Sequence, residues 1–109
     1  KINYFNYIQM LNKTKINVAI QLLPIGSNTT LETIDKAINL IQDSNLKYIV
    51  CPFETVVEGS YSEIFSLVDL IRTTTLQNGC PELIINLKIH ASTSDLNIND
   101  KLIKYNHNA

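Results

Sequence analysis

The order strand, capped helix, strand occurs twice in this chain, and that repetition limits the fold more than any other feature. Ile16, Val18, Ile20 and Leu22 alternate with Asn17, Ala19, Gln21 and Leu23, the period-two signature of a strand. Pro24-Ile25-Gly26-Ser27-Asn28 breaks it, and Thr29-x-x-Glu32 opens a helix as a capping box, hydroxyl and carboxylate each satisfying an orphan amide. Leu31, Ile34, Ile38 and Ile41 follow at helical spacing, with Ala37 alongside. The helix stops near Ser44-Asn45, since asparagine tolerates left-handed backbone. Tyr48 to Cys51 is a short second strand, and Pro52 leaves only a tight connection to a third over 53–58, so these two pair as a hairpin. Ser60-x-x-Glu63 is a second capping box. Ile64, Leu67, Val68 and Ile71 then share one helical face up to the Asn78-Gly79 stop, and Leu83 to His90 is the fourth strand. Beyond a polar stretch after Ser92, Ile98, Leu102 and Tyr105 predict one or two helical turns packed on the body.

This β-α-β-β-α-β order predicts an α+β fold, a ferredoxin-like βαββαβ sandwich. Right-handed crossovers place two helices on one face of a four-stranded antiparallel sheet and leave the other face open. At 109 residues the chain is long enough for one modest core. Residues 15–109, the C-terminal tail included, form the domain. Residues 1–14, rich in Asn and Tyr and without a sustained period, read as an N-terminal extension with no assigned function.

The helix-facing set is apolar: Ile16, Val18, Ile20 and Leu22, then Phe53, Thr55 and Val57, then Leu83, Ile85, Leu87 and Ile89. The open face carries Ala19, Gln21, Leu23, Glu54, Val56, Glu58, Ile84, Asn86, Lys88 and His90. Leu23, Val56 and Ile84 are too apolar for a simple solvated surface, while the polar members need partners or a ligand. Such a face fits burial against another subunit around a polar pocket. Glu54 and Glu58, an even step apart, share the face with Val56 between them. Glu58 is suited to paired N–H donors, as in an aminopyrimidine, or to a salt bridge with Lys88 across the sheet.

Several functions lose ground. A formal net charge of −1 and a pI near 6.1 give no electrostatic case for nucleic acid. The central strands offer only Phe53 for stacking RNA bases. No apolar run approaches the roughly 20 residues that span a bilayer, and the first residues lack a signal-peptide layout. Cys51 and Cys80 lack CxxC spacing and read as free, packed thiols of a cytoplasmic protein. His90 ends a strand and His107 lies in the tail, so no nucleophile pair or metal cluster is evident. The Gly26-Ser27-Asn28 loop, with one glycine, reads as a plain connection.

Pro52-Phe53-Glu54-Thr55-Val56-Val57-Glu58-Gly59 is the central stretch of a wider pattern. Together with Val18 to Pro24, Asn45-Leu46-Lys47-Tyr48, Asn78-Gly79-Cys80, Leu87-Lys88-Ile89 and Ile98 to Tyr105, it resembles the YkoF-like family of small thiamine-binding proteins. The resemblance spans about residues 15–105. It implies a non-enzymatic cytoplasmic protein that forms dimers or tetramers through its sheets. It also implies binding of thiamine or its hydroxymethylpyrimidine moiety near a subunit contact, with no other cofactor. The positions matching the shared motif are Gln21, Glu54, Thr55, Glu58 and Lys88. Cys51 before the proline and His90-Ala91-Ser92-Thr93 depart from the family pattern. Beside ligand binding stand a ligand-free structural or regulatory homo-oligomeric module and an enzyme using Glu58 and Lys88 as an acid–base pair.

Overall fold

Alternating and helical periods become eight elements in the computed structural model, which describes residues 3–105: α1 (Tyr4–Lys13), β1 (Lys15–Ile25), α2 (Thr30–Asp43), β2 (Lys47–Val50), β3 (Thr55–Ser60), α3 (Tyr61–Gln77), β4 (Glu82–His90) and α4 (Ile98–Ile103). The strands form one antiparallel sheet in the order β2-β3-β1-β4. This is the expected α+β, ferredoxin-like arrangement. β1 is the long central strand, pairing Lys15–Ile20 with β3 and Asn17–Ile25 with β4.

The buried core is the predicted apolar face of β1, with Ile16, Val18, Ile20 and Leu22, joined by Val57. Against it pack Ala37 and Ile41 of α2 and Ile64, Leu67 and Ile71 of α3. Leu83, Ile85 and Leu87 close the β4 side while staying partly exposed. Asn45 takes the left-handed conformation expected of it after α2, with φ of 64°.

Three local expectations are corrected. The third strand begins at Thr55, not at residue 53, because the Cys51 N–H donates to the Glu54 carbonyl at 2.8 Å and closes the β2–β3 turn ahead of it. Phe53 therefore sits at the turn and is 83% exposed instead of packing on the helices. Thr29 makes no side-chain cap on α2; its own N–H is held by the Ser27 hydroxyl at 3.1 Å. The N-terminal segment does have a period: α1 forms with Asn3 capping the Asn6 N–H at 2.8 Å. It buries no residue of its own and rests beside α3. His107 lies outside the described residues.

The second capping box is formed as predicted. The Glu63 N–H donates to the Ser60 hydroxyl at 3.2 Å, and the Ser60 N–H donates to the Glu63 carboxylate at 3.0 Å. That backbone hydrogen bond, then the contact with the Ser60 side chain, holds the Glu63 carboxyl below its ordinary 4.5. A depressed acid stabilises the fold above its unfolded value and loses that contribution as pH falls through its folded value. Ser60→Ala should cost about 1 kcal/mol at neutral pH by denaturant titration. The cost of Glu63→Gln should shrink as pH falls below the ordinary carboxylate range; a pH-independent cost would mean its charge plays no part.

Candidate functional site

β1 outlasts β3. Its ladder with β3 ends at the Ile20–Thr55 pair, while its pairing with β4 runs on to Ile25. Beyond Ile20 one edge of β1 has no strand beside it, and the β2–β3 turn curls toward the gap. The result is a cleft of about 260 Å³ between that turn, β1 and α2. Ile34 and Ile38 of α2 give it an apolar side, and Cys51, Phe53, Glu54, Thr55 and Gln21 line the rest.

Three of the five residues singled out in the sequence thus meet here. Gln21 is half-buried; its Oε1 accepts a hydrogen bond from Asn86 Nδ2 at 3.2 Å, so its own NH₂ remains to donate. Glu54, in the turn rather than on a strand, is half-buried and can only accept while ionised. Thr55 faces inward, as its alternation with Val56 requires, and is buried. Phe53, like Glu54, was expected on the third strand and lies in the turn instead. The signal was available in Pro52, which fixes φ and starts a turn, so its successor need not continue a strand.

Glu58 and Lys88 do not join them. Glu58 lies at the far end of β3, paired in register with Asn17 of β1 and Lys47 of β2. Lys88 pairs with Ala19. β1 runs between β3 and β4, so the two residues are at least two strand spacings apart, roughly 10 Å or more. The salt bridge envisaged across the sheet is not formed, and the acid–base pair required by the enzyme reading is not assembled.

Glu58 has another partner. It is only 7% exposed, and its Oε1 accepts the Ile98 N–H at 2.6 Å, the first amide of α4. Around this bond the segment after β4 is tied to β1 at Asp95 and Leu96. The Lys15 N–H donates to Asp95 Oδ1 at 2.9 Å, the Leu96 N–H to the Lys15 carbonyl at 3.0 Å, and Asn17 Nδ2 to the Leu96 carbonyl at 3.3 Å. Ile98 itself is buried. The C-terminal segment thereby straps across one end of the face opposite α2 and α3. Asn17 beneath it is 3% exposed, and its Oδ1 has no hydrogen-bond partner among the described residues.

The other end of that face stays open. Leu23 and Ile84, register partners, are 41% and 44% exposed, while Val56 is half-buried. Both cysteines are free, Cys80 buried and Cys51 partly so. No helix among the described residues is long and apolar enough to cross a membrane.

Known proteins share this architecture and sequence. A solved structure from Thermotoga maritima, described as a candidate thiamine biosynthesis/salvage protein, is 32% identical with a TM-score of 0.77, over 84% of this chain and 98% of that one. A Bacillus cereus domain of unknown function is 25% identical with a TM-score of 0.79, over 87% of this chain and 93% of that one. A Clostridium perfringens protein of the UPF0045 group is 29% identical over 90 residues, 82% of this chain and 95% of its own length. The family described as thiamine-binding protein matches residues 18–106, from the core of β1 through the strap and leaving α1 outside. On the strength of that match and the shared sheet, the chain belongs to the thiamine-binding protein family.

Proposed function

We propose that the protein binds thiamine or its hydroxymethylpyrimidine moiety, without chemical turnover, in the cleft between the β2–β3 turn, β1 and α2. The observation that carries this reading is the meeting of Gln21, Glu54 and Thr55 in one half-apolar cleft with an exposed aromatic at its edge. An aminopyrimidine presents N–H donors and ring acceptors on one edge, matching a carboxylate beside an amide. Phe53 offers a π face to the ring or to the thiazolium cation. The family description and the Thermotoga relative support the same ligand class. Glu58 and Lys88, expected in this site, are left out of it.

Calorimetric titration with thiamine and with its pyrimidine fragment tests the reading. At a hundred times its dissociation constant, a ligand bound only to the native state stabilises by about 2.7 kcal/mol. That is a rise in Tm of roughly ten degrees or more for a domain of this size. Glu54→Gln and Phe53→Ala should each weaken binding while leaving the unliganded Tm nearly unchanged, since both side chains lie in the turn. Thiamine should be recovered intact. Absence of heat and of any Tm shift at millimolar concentration of both compounds would sink the assignment.

A second reading, that the open face assembles copies of the chain into a dimer or tetramer, rests on Leu23 and Ile84. It is compatible with ligand binding, and a solution mass equal to the 12.3 kDa of one chain at micromolar concentration would exclude it.

A further inference from the structure

α1 shows its polar side to its own domain. Gln9, Asn12 and Lys13 line the gap against Ser60 and Ser62 of α3. Its apolar stripe, Tyr4, Tyr7, Ile8 and Leu11, falls at i, i+3, i+4 and i+7, the spacing with which an amphipathic helix enters a groove. Only Leu11 of the four is partly sheltered; Tyr4 is 80% exposed, and no residue of α1 is buried. Helices shorter than roughly 12–15 residues are marginal in water without tertiary packing, and α1 has 10. The family match starts at residue 18, which leaves this helix outside the shared pattern.

A groove of matching kind lies on the same chain. Between the end of α2 and the first half of α3 is an open cleft of about 430 Å³, lined by Leu40, Leu46, Leu67 and Leu70 and by no residue of α1. Leu70 is 48% exposed there. The acids Asp43 and Glu63 also line it, and no basic residue does. α1 has the opposite sign: it carries Lys13 and no acid, and Lys13 pairs with no acid among the described residues. Matching apolar surfaces of opposite charge on one chain name the occupant as a second copy. We infer that α1 of one copy lays its apolar stripe in the α2–α3 groove of another, with Lys13 meeting Asp43 and Glu63. In a two-fold pair each copy gives a helix and receives one, so the contact is made twice. Leu23 and Ile84 take no part in it, so it is independent of assembly through the open sheet face.

The test refolds isotopically labelled and unlabelled full chain together, joins contacting amines and carboxylates with a carbodiimide, and sorts the linked peptides by mass. Mixed-label peptides joining Lys13 to Asp43 or Glu63 are expected. Ile8→Glu puts a charge into the apolar contact from the helix, and Leu70→Glu does so from the groove. Each should cut the mixed-label yield roughly tenfold or more, the effect of one lost interface anchor. Both side chains are exposed in the single chain, so each variant should still fold. Leu23→Glu, on the open sheet face, should leave the Lys13 link in place. Linked peptides found only as same-label pairs would seat α1 in the groove of its own chain and overturn the proposal. So would the absence of any Lys13 link to either acid, or a yield that Ile8→Glu or Leu70→Glu leaves unchanged.

Discussion

Glu58→Leu releases the C-terminal strap. The substitution leaves the Ile98 N–H without its acceptor and takes a charged group from beneath α4. A hydrogen bond to a charged acceptor contributes about 1.5–3 kcal/mol, and for a domain of this size each kcal/mol moves Tm by roughly 4–8 °C. A fall in Tm of about ten degrees is therefore expected. Glu58→Gln should cost much less, because its amide oxygen still accepts. Hydrogen exchange locates the effect: protection at Ile98 and Leu96 should collapse in Glu58→Leu while the Val18 and Val57 amides keep theirs relative to the new global stability. A Glu58→Leu protein with unchanged Ile98 protection would mean that the strap is held by its other bonds alone.

Ile71→Ala should be the more damaging change. Ile71 is fully buried on α3 within the cluster that joins both helices to β1. Removing such a side chain leaves a cavity and costs about 2–5 kcal/mol, against a total stability of roughly 5–15 kcal/mol for domains in general. Urea titration should show a lower midpoint with an unchanged slope. A cost below about 1 kcal/mol would mean that the two helices close over the gap, and that the core is less rigid than its burial implies.

The fold was readable because each strand declares its own period, and because the Ser60–Glu63 box and Asn45 mark their helix ends with residues of specific chemistry. α1 was missed although its signal is present: Asn3 at the cap, then Tyr4, Ile8 and Leu11 in a helical stripe. Asparagine and tyrosine neighbours of middling propensity masked it, and no core contact enforces the pattern. Phe53 misled because extending an alternation by two residues is the natural reading until the turn begun by Pro52 is taken into account. Glu58 illustrates a harder limit. Its partner, the Ile98 amide, lies 40 residues away in sequence, and a backbone group leaves no mark in the amino-acid code. Lys88 looked like its counterpart only because both point from one sheet face; which strand lies between them is a matter of topology, not composition.

The central position of β1 has a consequence for how the chain acquires its structure. β1 is among the first segments of the domain in sequence, yet its longest partner is β4: Gln21 meets Asn86 across 65 residues. During synthesis, β1 emerges long before the strand that completes it, and its apolar residues wait through two helices and a hairpin. Closing so long a loop consumes conformational entropy before any pairing repays it, which slows folding relative to domains built from local contacts. β3 arrives earlier and can shelter the first six residues of β1, whereas Leu22 to Ile25 have only β4 to pair with. That late-protected stretch, Leu22-Leu23-Pro24-Ile25, carries a proline, a residue that resists pairing with a neighbouring chain in the interval.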